Sequence, residues 1–272
     1  MMPARPAHMH QLSPSAPLAE VAERLRDVRP RIVFSFGSYA DRFLRYVAAL
    51  GDTSPLPRVW AFVGDPVSLD GWTLADELGV RLWSGYSAIE TGRIGFQCEV
   101  GRGHHLNLDS CALRVVGRDG RPASNGEEGD LVVSNLVNRA TVILNYRSGD
   151  VGAMGEGPCS CGRTLPLLAR MHGRSSDIVR LADGRELPAL VFDAMFRWEL
   201  RQALSSQLTQ STPGCVRWSV VPLQGVDPAG LRNELLRRAA VLVPGTRIEL
   251  VISAEPTVTT SGKRPAVTLR GH

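Results

Sequence analysis

The stretch RVWAFVGDPVSLDGWTLADELGVRLWS, residues 58–84, decides the architecture. Residues 58–63 form an apolar run that stops at Gly64, and residues 80–84 form a second one. Between them, residues 67–78 have the composition and length of a helix. Strand, helix and strand joined by short connections make a parallel βαβ unit. Working toward the N-terminus, residues 38–50 predict another helix, residues 31–35 (RIVFS) a strand after Pro30, and residues 17–28 (PLAEVAERLRDV) an amphipathic helix. Residues 1–16, rich in Pro, Ser and Met, read as a flexible tail.

The pattern changes after about residue 92. Residues 111–117, 130–136 and 141–146 predict strands, punctuated by the turn segments RDGRP and NGEEGD. Residues 93–172 therefore read as a mostly antiparallel β subdomain. From residue 173 onward, residues 177–182 and 185–188 flank an Ala-Asp-Gly turn and predict a hairpin. A helix over 189–204, a polar loop (SSQLTQSTPG), a strand over 215–222, a helix over 228–240 and a strand over 246–253 follow. Residues 173–272 thus read as a small α+β domain of ordinary size.

Composition narrows the function classes. Apolar residues are 43% and charged residues 21%, which is globular rather than disordered. No apolar run is long enough for a transmembrane helix, and residues 1–17 lack the apolar segment of a signal peptide, so a cytoplasmic protein with no membrane partner is expected. The net charge of +4 comes without a basic block or interleaved aromatics, so nucleic acid is not expected as a partner. Five cysteines, an odd number, argue against a disulfide framework and leave buried thiols or metal ligands.

Five short segments carry chemistry: Gly64-Asp65-Pro66 at the end of a parallel strand, Tyr86-Ser87-Ala88-Ile89-Glu90 after the next, Tyr146-Arg147-Ser148-Gly149-Asp150, residues 173–178 (GRSSDI), and residues 256–264 (PTVTTSGKR). Singly they would pass for turn residues or a packed aromatic. In this order they resemble the nucleotide-binding motifs of the adenylate-forming ligases, and most closely the phenylacetate–CoA ligase branch. GDLVVSNLVNRATVILNYRSGD, GPCSCGRTLP and GRSSDIV carry that likeness, which covers roughly residues 20–270.

The resemblance implies an α/β fold, in which residues 17–92 are part of a doubly wound large domain and residues 173–272 a mobile lid. It implies two reactions, in which a carboxylate and ATP give an acyl-adenylate and coenzyme A then displaces AMP. An aromatic acid is the default substrate. Ligands of open parallel sheets bind beyond the carboxyl ends of the strands, where Gly64 and Tyr86 fall. By the resemblance Tyr86 stacks on adenine, Glu90 binds the magnesium that accompanies ATP, and Asp150 binds the ribose hydroxyls. Gly64, Asp65, Pro66, Ser87 and Arg174 complete the nucleotide-binding set. Ser176 and Asp177 would be the hinge.

Lys263, the chain's only lysine, sits after Thr-Ser-Gly. In the resembling family such a lysine contacts the carboxylate and α-phosphate and stabilises charge developing at phosphorus. A Walker A loop is rejected, because Thr257 and Arg264 stand where that pattern requires Gly and Ser or Thr. Cys159 and Cys161, with Cys98 and His105 earlier in the chain, make a Cys3His set suited to tetrahedral structural zinc. The resemblance favours a metal there too, and His104 is an alternative ligand by adjacency. Cys111 and Cys215 lie in predicted strands and read as core.

Two departures from the pattern bear on activity. No Ser/Thr/Gly-rich phosphate loop precedes residue 64, and Ser87 and Ile89 replace a common Gly and a common Ser or Thr. The expected protein is therefore a truncated or split ligase whose missing N-terminal half is supplied by a separate protein. The alternatives are a catalytically inactive remnant that binds a nucleotide or a partner, and a start site placed too far downstream.

Overall fold

A computed structural model of the chain describes residues 9–13, 16–101, 103–174, 177–255 and 267–269. The chain opens with α1 (Leu18–Val28), β1 (Ile32–Phe36), α2 (Gly37–Leu50), β2 (Val59–Val63), α3 (Leu69–Glu77) and β3 (Arg81–Ala88). Strands β1, β2 and β3 pair in parallel, as the βαβ reading requires. Helices and strands here share one apolar cluster that includes Leu25, Phe43, Leu44, Trp60, Phe62 and Leu82. Burying each such side chain contributes about 1.5–3 kcal/mol, so this cluster is a real core.

Strand β3 runs four residues past its expected end, so Tyr86 lies within the strand rather than after it. It turns directly into β4 (Gly92–Phe96) as an antiparallel hairpin. The sheet continues through β5 (His104–Leu106), β6 (Cys111–Val116), β7 (Gly129–Asn135), β8 (Tyr146–Met154) and β9 (Leu167–Arg174). All nine strands form one sheet in the order β1-β2-β3-β4-β5-β9-β8-β7-β6. A second cluster, with Tyr86, Ile94, Leu106, Leu131 and Leu168, fills its antiparallel part.

Residues 141–145 are not the expected strand. Asn138 Oδ1 accepts the Ala140 and Thr141 N–H groups at 2.9 and 3.3 Å, and this side-chain turn takes the backbone out of the ladder. Val142 and Leu144 are left exposed at 77% and 64%; the Ile143 carbonyl accepts the Asn135 N–H at 2.9 Å, but the regular ladder with β7 begins only at Tyr146.

The C-terminal unit holds the hairpin β10 (Ile178–Arg180) and β11 (Glu186–Pro188), then α4 (Ala189–Met195) and α5 (Arg197–Leu200). The single helix expected over 189–204 is broken at Phe196, whose φ of −113° and ψ of 20° leave the helical region. The expected polar loop is instead β12 (Ala203–Thr212). It pairs with β13 (Cys215–Pro222), followed by α6 (Pro228–Leu242), β14 (Arg247–Ile252) and β15 (Val267–Leu269), in the order β14-β13-β12-β15. The polar side chains of β12 tolerate the sheet because they are bonded. Ser206 Oγ accepts from Trp218 Nε1 at 2.9 Å, and Gln210 exchanges bonds with the Arg180 backbone at 2.8 and 2.9 Å. Phe192, Phe196 and Trp218 centre this unit's apolar cluster. Among the described residues no helix is long and apolar enough to cross a membrane.

Candidate functional site

Tyr86 and Asp150, 64 positions apart, meet across the sheet: the phenol donates to Asp150 Oδ2 at 2.7 Å. A bulge in β8 makes this possible. Asp130 and Val132 of β7 face Val151 and Arg147, so residues 148–150 of β8 oppose a single residue. Gly149 takes φ 80° there, a conformation that favours glycine. Asp150 thus lies in a bulged strand rather than after a turn. Ser148 Oγ accepts the Asp150 N–H at 3.2 Å and fixes the bend. Tyr86 is only 6% exposed, so its ring packs into the core with its hydroxyl toward Asp150. Burial, and then the Asp150 charge, push its phenol far above the ordinary tyrosine range, so it stays a donor.

Tyr146, to which sequence reasoning gave no role, donates to Glu90 Oε1 at 2.9 Å. That bond, with burial second, raises its own pKa. Its position at the head of Tyr-Arg-Ser-Gly-Asp was the available signal. Arg174 ends β9 directly opposite Asp150, and its charge acts on Tyr146. Glu90 and Arg174 are exposed, and Ile89 is 97% exposed. The structure therefore gathers Tyr86, Glu90, Asp150 and Arg174 at one end of the antiparallel sheet. Beside them an open cleft of about 500 Å³ is lined by Phe34, Val63, Trp83, Gly85, Ser87 and Arg93.

The Gly64-Asp65-Pro66 segment follows β2 and docks on the start of α2. Gly64 has φ 89°. Asp65 accepts the Ser38 N–H at 3.0 Å and the Ser38 hydroxyl at 2.6 Å, satisfying an otherwise unpaired donor of the first helical turn. A Cβ on Gly37 would stand 2.3 Å from the Asp65 carbonyl oxygen, so that position must be glycine. Asp177 donates its N–H to the Arg174 carbonyl at 2.9 Å and accepts the Ala189 N–H at 2.9 Å. Ser176 and Lys263 lie outside the described residues.

Cys98, His105, Cys159 and Cys161 converge, with one ligand atom of each within 4.8 Å of every other. Cys98 Sγ is 3.7 Å from Cys159 Sγ, and Cys161 Sγ is 3.3 Å from His105 Nε2. A zinc tetrahedron with ~2.3 Å zinc–sulfur bonds has edges of about 3.8 Å, so the donors present fit that ion. His105 Nδ1 faces the Leu165 carbonyl at 3.4 Å, which leaves Nε2 for a ligand bond. Burial works against ionising Cys161, but the Arg163 backbone N–H and guanidinium and the neighbouring thiols bring its thiol down to about 6. His104 points to the other face of β5, with Nε2 3.0 Å from Ser84 Oγ, and burial lowers it to about 4. Cys111 is buried and Cys215 half-buried, both in strands and away from the cluster.

No family model matches the chain. A phenylacetate–coenzyme A ligase of Thermus thermophilus is 30% identical over 167 residues, which is 57% of this chain and 36% of that protein. Its counterpart in Escherichia coli is 25% identical over 191 residues, 65% of this chain and 42% of that protein. The chain thus spans about two fifths of the length of the curated relatives it matches. A crystal structure of 2-hydroxyisobutyryl-CoA ligase, in the postadenylation state with an acyl-AMP, superposes with a TM-score of 0.76 at 19% identity. The superposition covers 93% of this chain and 58% of the ligase.

Proposed function

We propose that this chain, a relative of the phenylacetate–CoA ligases with the fold of adenylate-forming ligases over part of their length, carries the nucleotide-binding and lid portion of a carboxylate–CoA ligase. The observation that carries this reading is the Tyr86–Asp150 hydrogen bond at 2.7 Å, which unites two motif segments beside an open cleft. Asp150 holds the ribose of ATP or AMP. Tyr86, whose ring is buried in the core rather than free to stack on adenine as the resemblance implies, orients that carboxylate through its hydroxyl. Glu90, exposed and tied to Tyr146 through one oxygen, contributes to magnesium, an ion usually held by one or two carboxylates plus substrate phosphates. Gly64, Asp65, Pro66, Ser87 and Arg174 frame the nucleotide. Residues 17–92 and 93–172 make up the nucleotide-binding part. Residues 173–272 form the lid, which turns at Ser176 and Asp177 and brings Lys263 to the reacting carboxylate.

The Cys98, His105, Cys159 and Cys161 set holds a structural zinc that ties the β4–β5 hairpin to the β8–β9 connection. With four protein ligands it keeps no open coordination position for chemistry. The acid is small and aromatic, as the names of the curated relatives suggest, and coenzyme A is the acceptor. The phosphate-binding loop is supplied by further polypeptide beyond these 272 residues. Pyrophosphate exchange tests the reading. The 272-residue chain alone is expected to bind AMP with little exchange, and exchange should appear when that further polypeptide is added.

A second reading, a nucleotide- or partner-binding protein without catalysis, is favoured by Ile89, which is 97% exposed where the related pattern has a hydroxyl. It predicts AMP binding with no exchange under any complementation.

A further inference from the structure

A second, small cleft, of about 90 Å³ and open to solvent at its mouth, lies between α2 and the α4–β12 layer of the C-terminal unit. Tyr86, Glu90 and Asp150 do not line it, although Asp65 and Pro66 reach its edge. Its singular feature is Arg42, one helical turn beyond Ser38 on α2. Arg42 is 8% exposed, and among the described residues neither Nε nor Nη1 has a hydrogen-bond partner. Its described contact is with the Tyr39 ring, 5.7 Å from Cζ. A guanidinium stays charged at any ordinary pH, so burying one without an acceptor is costly.

The carboxylates that share this cleft are already engaged. Asp41 and Asp70 hold Arg45 at 3.3 and 3.1 Å, and Asp70 also holds Arg201 at 3.0 Å. Asp65 is bonded to Ser38, and Asp193 accepts the Ser206 hydroxyl at 3.1 Å. Burial pushes Asp193 up to about 7, which reduces the negative charge it places in the cleft near neutral pH. Glu255 and Arg197 also line the cleft, and Arg197 lies over the Trp198 ring at 4.7 Å. The remaining wall is largely apolar, with Leu69, Leu190, Ala194 and Leu204.

We propose that this cleft is a binding site for a small organic anion, whose carboxylate or phosphate group is held by Arg42 and whose apolar body lies against the leucine wall. An oxyanion supplies the acceptor that Nε and Nη1 of Arg42 lack among the described residues, and charge-assisted bonds of this kind are among the strongest available. Leucines on the opposite wall favour an organic anion over a bare inorganic one. The site does not depend on adenylate chemistry at Tyr86 and Asp150.

The test uses the 272-residue chain titrated with sodium phenylacetate, phenyl phosphate and inorganic phosphate, followed by calorimetry and melting temperature. Phenylacetate or phenyl phosphate should bind saturably, the tighter of the two identifying the head group, and inorganic phosphate should bind at least tenfold more weakly. Arg42→Gln should weaken the organic anion at least tenfold. Arg42→Lys keeps the charge and should retain partial affinity, which preserves the test should the glutamine variant not fold. AMP is titrated alongside as the probe of the other site, and its binding should be indifferent to both variants. The proposal is overturned by absence of saturable binding of either organic anion, by equal binding of inorganic phosphate, or by unchanged affinity in both Arg42 variants. Loss of AMP binding alone would count against the ligase reading and leave this site standing.

Discussion

Arg45 on α2 donates through Nη1 to the carbonyl oxygen of Leu200 at the end of α5, 2.9 Å away and 155 positions later in the chain. The same guanidinium lies 3.1 Å from Asp70 Oδ2, with both side chains 8% exposed. Arg201 reinforces the contact by holding Asp70 at 3.0 Å and Glu77 at 3.2 Å. A buried cation thus joins the parallel βαβ layer to the C-terminal unit. Removing one member of a buried pair leaves the other charge uncompensated, so Arg45→Ala should destabilise the protein by about 3–5 kcal/mol. Adding Asp70→Asn should recover part of the loss. Chemical denaturation of the single and double variants measures this, and an Arg45→Ala cost under about 1 kcal/mol, the scale of an exposed pair, would show the contact to be unimportant.

Asp193 gives stability an unusual pH dependence. Burial raises its carboxyl from 3.8 to about 7, opposed by the Ser206 hydrogen bond and by Arg45. The folded state therefore binds this proton more tightly than the unfolded chain. The contribution is fully present below about 3.8 and is lost as pH rises toward 7. Asp193→Asn, which mimics the protonated form, should raise the melting temperature at pH 8 and change it little at pH 4. Equal effects at both pH values would refute the buried-proton account.

Cysteine substitution tests the metal centre. Purified protein should contain about one zinc per chain, as a closed Cys3His site requires. Cys159→Ser should abolish stoichiometric metal and lower stability, leaving the secondary structure of the C-terminal unit largely intact. Metal-replete protein without zinc by elemental analysis would leave the four side chains as a cluster of thiols around an imidazole.

Legibility in the sequence followed chemical rarity. The parallel strands were readable because β2 and β3 are apolar runs bounded by Gly and Pro, and Pro and Gly are strong signals. The convergence of Cys98, His105, Cys159 and Cys161 was readable because cysteines are few, although only the alternation of β5 separates His105 from His104. Strand β12 was hidden by its Ser, Thr and Gln residues, which read as a loop until Trp218 and Arg180 supply their partners. Arg42 and Arg45 were invisible for the opposite reason. Charged residues on a helix read as its solvent face, and only the packing of the C-terminal unit on α2 buries them. The Tyr86–Asp150 bond needed the bulge at Gly149, which no local pattern announces.

Substitution of Lys263 tests the proposed lid. With exchange activity restored by the complementing polypeptide, Lys263→Ala should slow adenylate formation by a factor on the order of 100, the usual effect of deleting one preorganised charge-stabilising group. Thioester formation from supplied acyl-adenylate should be nearly unchanged, because the lid then presents another face. Pyrophosphate exchange and coenzyme A consumption measure the two steps separately. Equal loss in both would assign the lysine to folding or general binding.

The nucleotide site itself is tested by separating its two partners. Asp150 gives Oδ2 to the Tyr86 phenol and its N–H to Ser148, so the proposed ribose contact falls to Oδ1. Asp150→Asn should therefore weaken AMP binding at least tenfold, since an amide replaces the charged acceptor. Tyr86→Phe removes only the orienting bond. It should lower stability by about 1.5–3 kcal/mol, the range for a hydrogen bond to a charged group, and weaken AMP binding less than the asparagine variant does. Because burial holds the phenol protonated far above neutrality, Tyr86 should contribute no pH dependence to AMP binding between pH 6 and about 9. Calorimetric titration of the wild type and both variants across that range decides the matter. Wild-type affinity in both variants would mean that the bond at 2.7 Å only holds the sheet together, and that the nucleotide binds elsewhere.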